Sequence, residues 1–335
     1  AGICIAVENQ TAGVERYCRA YLCDDRPVQM QVKVTDDKLA AERARTVHAA
    51  SDAYLESLCI YREIALKMLA FDGFLLHAAV IEADGNAYAF LAKSGTGKST
   101  HIRLWKELLG DRVTVVNGDK PLIRFMDGQA YACGTPWCGK EGWNRNAMVP
   151  LRALVFVDRA ANHGGRIQMQ PLSAKEAAPR LLRQILLPGT PEAAEKQLEL
   201  ADRLLGETPA WLLYCDISIG SAQLAYDTLT ENAGASREQG GKERKHLMKI
   251  DEGFVIREVG GMITAVATGP ASHHFHGVIT LNETGKLLFE LLQQGYTEQQ
   301  MADRLAEQYE LDSAQALADV QAFTEKLRSA GILHA

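Results

Sequence analysis

The residues with the clearest chemical potential form one run, Ala92-Lys93-Ser94-Gly95-Thr96-Gly97-Lys98-Ser99-Thr100. A glycine-rich turn that opens into Lys-Ser-Thr suits a polyphosphate. Its backbone N–H groups wrap anionic oxygens, and the amino end of a helix adds positive potential. In that reading Ser94, Gly95, Thr96, Gly97, Lys98, Ser99 and Thr100 cradle a nucleotide. Lys98 reaches the β- and γ-phosphates, and the Ser99 hydroxyl sits on Mg2+. Ala92 stands where the pattern has its first glycine, so the match is Ala-x-x-x-x-Gly-Lys-Ser. The competing reading is a strand-to-helix turn with no ligand. The flanks favour the nucleotide: apolar 87–91 reads as a strand, and Ile102, Leu104, Trp105, Leu108 and Leu109 follow at helical spacing.

Such a loop needs an acid for the metal and a group to take a proton. Val113 to Val116 form an apolar strand that runs into Asn117-Gly118-Asp119-Lys120, and Ala153 to Val157 form another that ends at Asp158. Either acid suits a metal-bound phosphate site, and either could instead close a turn. His77 lies in the apolar run 73–81, which reads as a buried strand joined through Asp84-Gly85 to the strand before the loop. An isolated histidine there is as readily a core residue as a functional one. The polar stretch 134–146 carries Trp137, Lys140, Trp143 and Arg145. It is either a ligand loop, with Lys140 or Arg145 neutralising a transferring phosphoryl group, or a solvated loop with its tryptophans tucked into the core.

These residues must be positioned by more than one domain. The chain has 335 residues, a net charge of −6 and seven scattered cysteines with no Cys-x-x-Cys spacing. That balance argues against a general nucleic-acid binder, and the cysteines read as reduced thiols in the cytoplasm. No apolar run approaches the ~20 residues of a membrane span, and no basic flank leads an apolar signal core. Residues 1–50 read as a small α/β lobe with strands near 3–7 and 28–34, and a helix follows from about 52 to 69. Helical spacing recurs over 173–206, broken at Pro188-Gly189-Thr190-Pro191. A last strand at 211–215 and a helix to about Glu231 complete a core over 51–231. The polar stretch 232–245 reads as a flexible linker. Beyond it, strands at 254–259 and 262–266 flank Gly260-Gly261, a third strand covers 275–281, and helices span 282–293, 297–309 and 313–330. That order predicts a winged-helix-like module. Its acidic last helices suit a peptide added to the exposed strand better than a phosphate backbone.

Two resemblances follow from these motifs. The core resembles the HPr kinase/phosphorylase and PEP carboxykinase-like group, and within it the kinases of ribosomal-peptide biosynthesis, such as those that phosphorylate lasso peptides. The residues that carry it are His77, Ser94-Gly95-Thr96-Gly97-Lys98-Ser99, Asn117-Gly118-Asp119-Lys120-Pro121 and Gly134-Thr135-Pro136-Trp137. The resemblance implies an α/β P-loop core with a mixed sheet, ATP as donor, Mg2+ on Ser99 and Asp119, and Asp119 or His77 as proton acceptor. The sequence departs from the group at Gly118, where the group has the first of two Asp, so one carboxylate is left for two duties. Residues 246–335 resemble PqqD, which captures leader sequences of precursor peptides. The points of similarity are the hairpin, Leu281-Asn282, Asp319-Val320 and Gly331-Ile332-Leu333. By that resemblance a leader lies along 275–281 and contacts 313–330. The expectation is therefore an ATP- and Mg2+-dependent kinase that phosphorylates a Ser or Thr of a precursor peptide, with other peptide-modifying enzymes as further partners. A small-molecule kinase of the same core and a non-catalytic, nucleotide-gated leader chaperone remain as alternatives. The peptide and the oligomeric state stay open, a homo-oligomer included.

Overall fold

In the computed structural model the described residues are all except 24–25, 47–49, 94, 232–252, 270, 276, 331 and 334–335, with the side chains of His273 and His274 also left aside. The expected linker at 232–245 falls outside the described residues, as does Ser94. Contacts group the chain into two compact units. One comprises Ala1–Ser173, Gln184–Leu186 and the chain from Arg203 through the helix ending at Glu231. The other comprises Ala174–Arg183, Leu187–Asp202 and the C-terminal residues.

The first unit opens with β1 (Ile5–Glu8), α1 (Ala12–Cys18), β2 (Met30–Lys33), α2 (Asp36–Arg45) and α3 (Asp52–Lys67). β1 and β2 pair in parallel. Val14, Val32 and Val34 meet Ile60 and Ile64 of α3 in one buried cluster. Helix α2 was not anticipated, because only Leu39 and small alanines mark its apolar side. Its start is nevertheless written in Thr35, whose side chain accepts from Lys38 N.

The chain then forms β3 (Gly73–Leu75), β4 (Ala79–Ala83), β5 (Asn86–Leu91), α4 (Lys98–Leu109), β6 (Val113–Asn117), β7 (Leu122–Met126), β8 (Gln129–Cys133), β9 (Met148–Arg159) and β10 (Gln168–Leu172). After α5 (Ala174–Leu181) and α6 (Pro191–Glu207) come β11 (Ala210–Cys215) and α7 (Ile219–Glu231). The nine strands run β3-β7-β8-β9-β5-β4-β6, with β11 joined to β9 and β10 to β11. β9 is parallel to β5 and to β11, whereas the other neighbours are antiparallel, which gives the expected mixed sheet. Helix α4 buries Ile102 and Trp105 against Phe90 and Val155, and the Trp105 and Phe90 rings meet edge to face at 5.7 Å. Burial of that size anchors the loop before α4, since truncating a buried Trp costs about 3–5 kcal/mol.

One expectation is corrected here. The apolar run 73–81 is two strands with different partners, not one. β3 pairs with β7, while β4 pairs with β5 and β6, so the chain crosses between separate positions in the sheet at Leu76-His77-Ala78. His77 therefore sits at a strand break.

In the second unit, β12 (Phe254–Val259), β13 (Met262–Ala267) and β14 (Val278–Leu281) make an antiparallel sheet, with the short α8 (Ala271–His274) before β14. Helices α9 (Glu283–Gln293), α10 (Glu298–Tyr309) and α11 (Ser313–Ser329) follow. Each is capped by its own sequence. Asn282 accepts from Gly285 N at 2.7 Å, Thr297 and Gln300 form a capping box, and Asp312 accepts from Ala314 N at 3.0 Å. The buried faces of the sheet and helices meet through Phe254, Ile256, Phe289 and Leu327. β14 pairs with β13 alone among the described residues, leaving its outer edge open. The β12–β13 turn rests on the preceding helices of this unit: Gly260 N–H donates to Asp202 Oδ1 at 2.8 Å, and Arg257 pairs with Glu195.

Candidate functional site

The phosphate loop has the local structure its residue types demand. β5 ends at Leu91 and α4 begins at Lys98. Between them Gly95 and Gly97 take φ of +78° and +122°, which only glycine adopts readily. Ala92 has no positive φ, so the missing first glycine carries no backbone cost. The first intrahelical bond runs from His101 N–H to Gly97 O at 2.9 Å, and no side chain caps α4. The N–H groups of Lys98, Ser99 and Thr100 therefore lack intrahelical partners, as the first turn of any helix does, and an anion is their natural acceptor. Lys98 is buried at 9% exposure and its Nζ donates to the Ala92 carbonyl at 2.8 Å. Burial lowers its pKa, while Asp119 acts the other way, so the ammonium and that carboxylate share one electrostatic neighbourhood. On the outer side Arg159 holds the loop by its carbonyls, donating to Gly95 O at 2.7 Å and Thr96 O at 3.4 Å.

The register of β4 on β6 brings His77 beside Asp119. Val80 pairs with Asn117, and the same offset continues past the strand ends, where Ala78 N–H donates to Asp119 O at 3.0 Å. His77 Nε2 lies 3.2 Å from Asp119 Oδ1, and Lys120 Nζ lies 3.2 Å from Asp119 Oδ2. His77 Nδ1 faces Gln184 Oε1 at 2.9 Å. Asn117 sets the turn: its Oδ1 accepts from Asp119 N at 2.9 Å and Lys120 N at 2.7 Å, and its Nδ2 donates to Thr135 O at 2.9 Å. Burial pushes the Asp119 pKa upward, but the His77 hydrogen bond and Lys120 outweigh it and hold the carboxyl below its usual range. The flank beside Lys120 is aromatic, with its ammonium 5.3 Å from the Tyr61 ring centre and Trp137 5.6 Å from Tyr61.

The loop 134–146 closes over this turn. Gly118 N–H donates to Trp143 O at 2.8 Å, and Gly139 lies against Asp119. Trp137 is buried and donates from Nε1 to Ser57 O at 3.1 Å, as a core tryptophan does. Trp143 is half-buried beneath the Arg103 guanidinium, which lies 5.4 Å from its ring centre. Lys140 is exposed next to Gly139. Arg145 does not join the cluster. Its guanidinium pairs with Glu82, which stands opposite Ala87 at the start of β5, and the phosphate loop leaves from the other end of that strand. Asp158 is a turn acid with its own partners: it accepts from Arg159 N at 2.7 Å and Asn162 Nδ2 at 3.1 Å, and His163 Nε2 lies 2.9 Å from it.

Gly118 has a reason for being glycine. A Cβ there would lie 2.8 Å from the Cys138 carbonyl oxygen, inside the covering loop. An Asp cannot be placed at Gly118 without displacing that backbone. Gly118→Asp is expected to destabilise the protein by about 1–3 kcal/mol, as overpacking does. Scanning calorimetry on the full chain checks this, and an unchanged melting temperature would show that the loop yields freely.

Sequence reasoning missed Arg159, Lys120 and Gln184. Arg159 and Lys120 adjoin acids that were singled out, and that adjacency was the available signal. Gln184 lies 107 positions from His77 and has no local signature.

Comparison with known proteins agrees with the resemblance of the C-terminal module. Residues 267–333 match the family model of coenzyme PQQ synthesis protein D (PqqD). Among solved structures, the Hpr(Ser) kinase/phosphatase from Coxiella burnetii matches with 8% identity and a TM-score of 0.31, over 48% of this chain and 93% of that one. No curated protein matches by sequence. Among the described residues no helix is long and apolar enough to cross a membrane.

Proposed function

We propose that this chain is an ATP- and Mg2+-dependent kinase that phosphorylates a Ser or Thr hydroxyl of a ribosomally made precursor peptide, with the leader held by the C-terminal module. The observation that carries the reading is the buried Lys98 ammonium at the foot of a phosphate loop, in the electrostatic neighbourhood of the Asp119–His77 pair. Ser99 and Asp119 fit Mg2+, a hard ion that takes one or two protein oxygens and completes its shell with phosphate and water. No cluster of three or more His, Cys, Asp or Glu among the described residues suggests a metal cage instead. Bound there, the ion would neutralise charge on the β- and γ-phosphates.

The chain's own part is positioning. The α4 N–H groups and Lys98 orient the γ-phosphoryl group, and Lys140 is an exposed cation next to Gly139, the residue that lies against Asp119. The bond from the acceptor oxygen to the γ-phosphorus forms while the β–γ bridging bond breaks and its electron pair leaves with ADP. The hydroxyl proton passes to Asp119 or to His77 Nε2. The open edge of β14 offers backbone groups to an extended leader. Capture raises the effective concentration of the residue to be modified, so weak recognition of that residue suffices.

Intact-mass analysis of the precursor peptide after incubation with the protein, ATP and Mg2+ tests this. The expected result is a gain of one phosphoryl group, absent with Lys98→Ala and much slower for a peptide lacking its leader. Equal rates with and without the leader would favour a kinase that ignores it. Tight leader binding with no mass change would leave a nucleotide-gated chaperone.

A further inference from the structure

His77 is held from both sides of its ring. Nε2 lies 3.2 Å from Asp119 Oδ1 and Nδ1 lies 2.9 Å from Gln184 Oε1. The main chain is tied at the same place: His77 N–H donates to the Gln184 carbonyl at 2.7 Å, and Leu76 bridges Ile185. These ties matter because His77 falls between β3 and β4, where no strand ladder fixes the chain. The terminal torsion of an imidazole is broad, so without a partner at Nδ1 the ring has more than one resting orientation.

We propose that Gln184 is a positioning residue for phosphoryl transfer: its main-chain carbonyl and its side-chain amide hold His77 from one side, and so fix the rotation that turns Nε2 toward Asp119. The proposal rests on the kinase reading above. A glutamine amide carries both a donor and an acceptor, so it can hold Nδ1 by a hydrogen bond in either tautomer. Nε2 is left as the nitrogen that faces Asp119. Anchoring one ring nitrogen so that the other works is a general device of histidines in catalytic and metal sites. Gln184 reaches His77 by both its main chain and its side chain, so the hydrogen bond at Nδ1 starts from a fixed backbone.

Two variants test it in the full-length protein. Gln184→Met keeps the length of the side chain and removes the acceptor, whereas Gln184→Glu keeps an acceptor oxygen. Gln184→Met is expected to lower kcat about 10- to 100-fold with KM for ATP unchanged, and Gln184→Glu to stay within about threefold of the parent, the range seen when histidine-orienting partners are altered. In protein labelled with 15N-histidine and assigned through His77→Asn, the His77 ring signals should match in the parent and in Gln184→Glu, and shift in Gln184→Met. Equal losses of kcat in both variants, or unchanged kcat and ring signals in Gln184→Met, would overturn the proposal. The ring signals need no substrate. A protein that shows Gln184-dependent His77 signals but no phosphorylation would overturn the kinase reading and leave the anchoring of the ring intact.

Discussion

Lys98→Ala is expected to lower phosphoryl transfer about 10³-fold, the scale of removing a cation that clamps the transferring group, and to do so without lowering the melting temperature. The second half of that expectation comes from where the ammonium is kept. Lys98 is 9% exposed and its Nζ has one carbonyl, that of Ala92, as its hydrogen-bond partner among the described residues. A buried charge with so little compensation contributes little to stability or detracts from it. Burial pushes the Lys98 pKa below its usual value against the pull of Asp119. Relative to the unfolded chain the folded state disfavours the charged form, and the cost of keeping it charged is fully present at neutral pH. It disappears as pH rises past the unfolded lysine value of about 10.4. Lys98→Met, which keeps the apolar stem, should therefore match or exceed the parent in thermal stability at pH 7 and converge with it at high pH. Activity assays paired with calorimetry decide the matter. A melting temperature that falls in both variants would make Lys98 a structural residue first.

The phosphate loop was legible because its geometry is local. Gly95 and Gly97 mark the two positive φ values, and the change from strand to helix follows within a few residues. The hairpin and caps of the C-terminal module are local in the same way: Gly260-Gly261, Asn282, Thr297 and Asp312 stand where turns and helix starts need them. Asp119 was legible as an acid at a strand end, but its setting was not. Its pairing with His77 depends on a register between β4 and β6 that includes a bulge between Val80 and Ile81. The break at His77 was hidden because 73–81 is apolar throughout, and a run buried on both faces looks the same whether it stays in one strand or crosses between two. Arg145 was attractive by composition, and its pairing with Glu82 of β4 was not visible in the sequence. Gly118 looked like a lost carboxylate, when what excludes a side chain there is the Cys138 carbonyl of a covering loop. Each of these depends on which backbone lies opposite, and that is set at long range.

Asp119→Asn is the sharper test of the chemistry, with kcat expected to fall about 10²- to 10⁴-fold, the range of a positioned proton acceptor. The substitution keeps the shape and removes the charge. It leaves Lys120 and His77 without the carboxylate each now faces at 3.2 Å, and turns one oxygen into a donor pointed at another donor. His77→Asn should cost less than Asp119→Asn if the carboxylate takes the proton, and as much or more if Nε2 does, so the pair of variants assigns the base. Leader affinity, read by fluorescence anisotropy, should be unchanged in both, because β14 and α11 lie in the other compact unit. Stability carries an independent signature. The His77 hydrogen bond and Lys120 hold the Asp119 pKa down despite its burial. The stability it contributes is therefore present above the unfolded value of about 3.9 and is lost as pH falls through the lower folded value. Urea unfolding between about pH 5 and pH 2 should accordingly be less steep in Asp119→Asn than in the parent over that window. Retained phosphorylation in Asp119→Asn would remove Asp119 from both the metal and the proton, whereas loss of turnover with leader binding intact is what a peptide kinase requires.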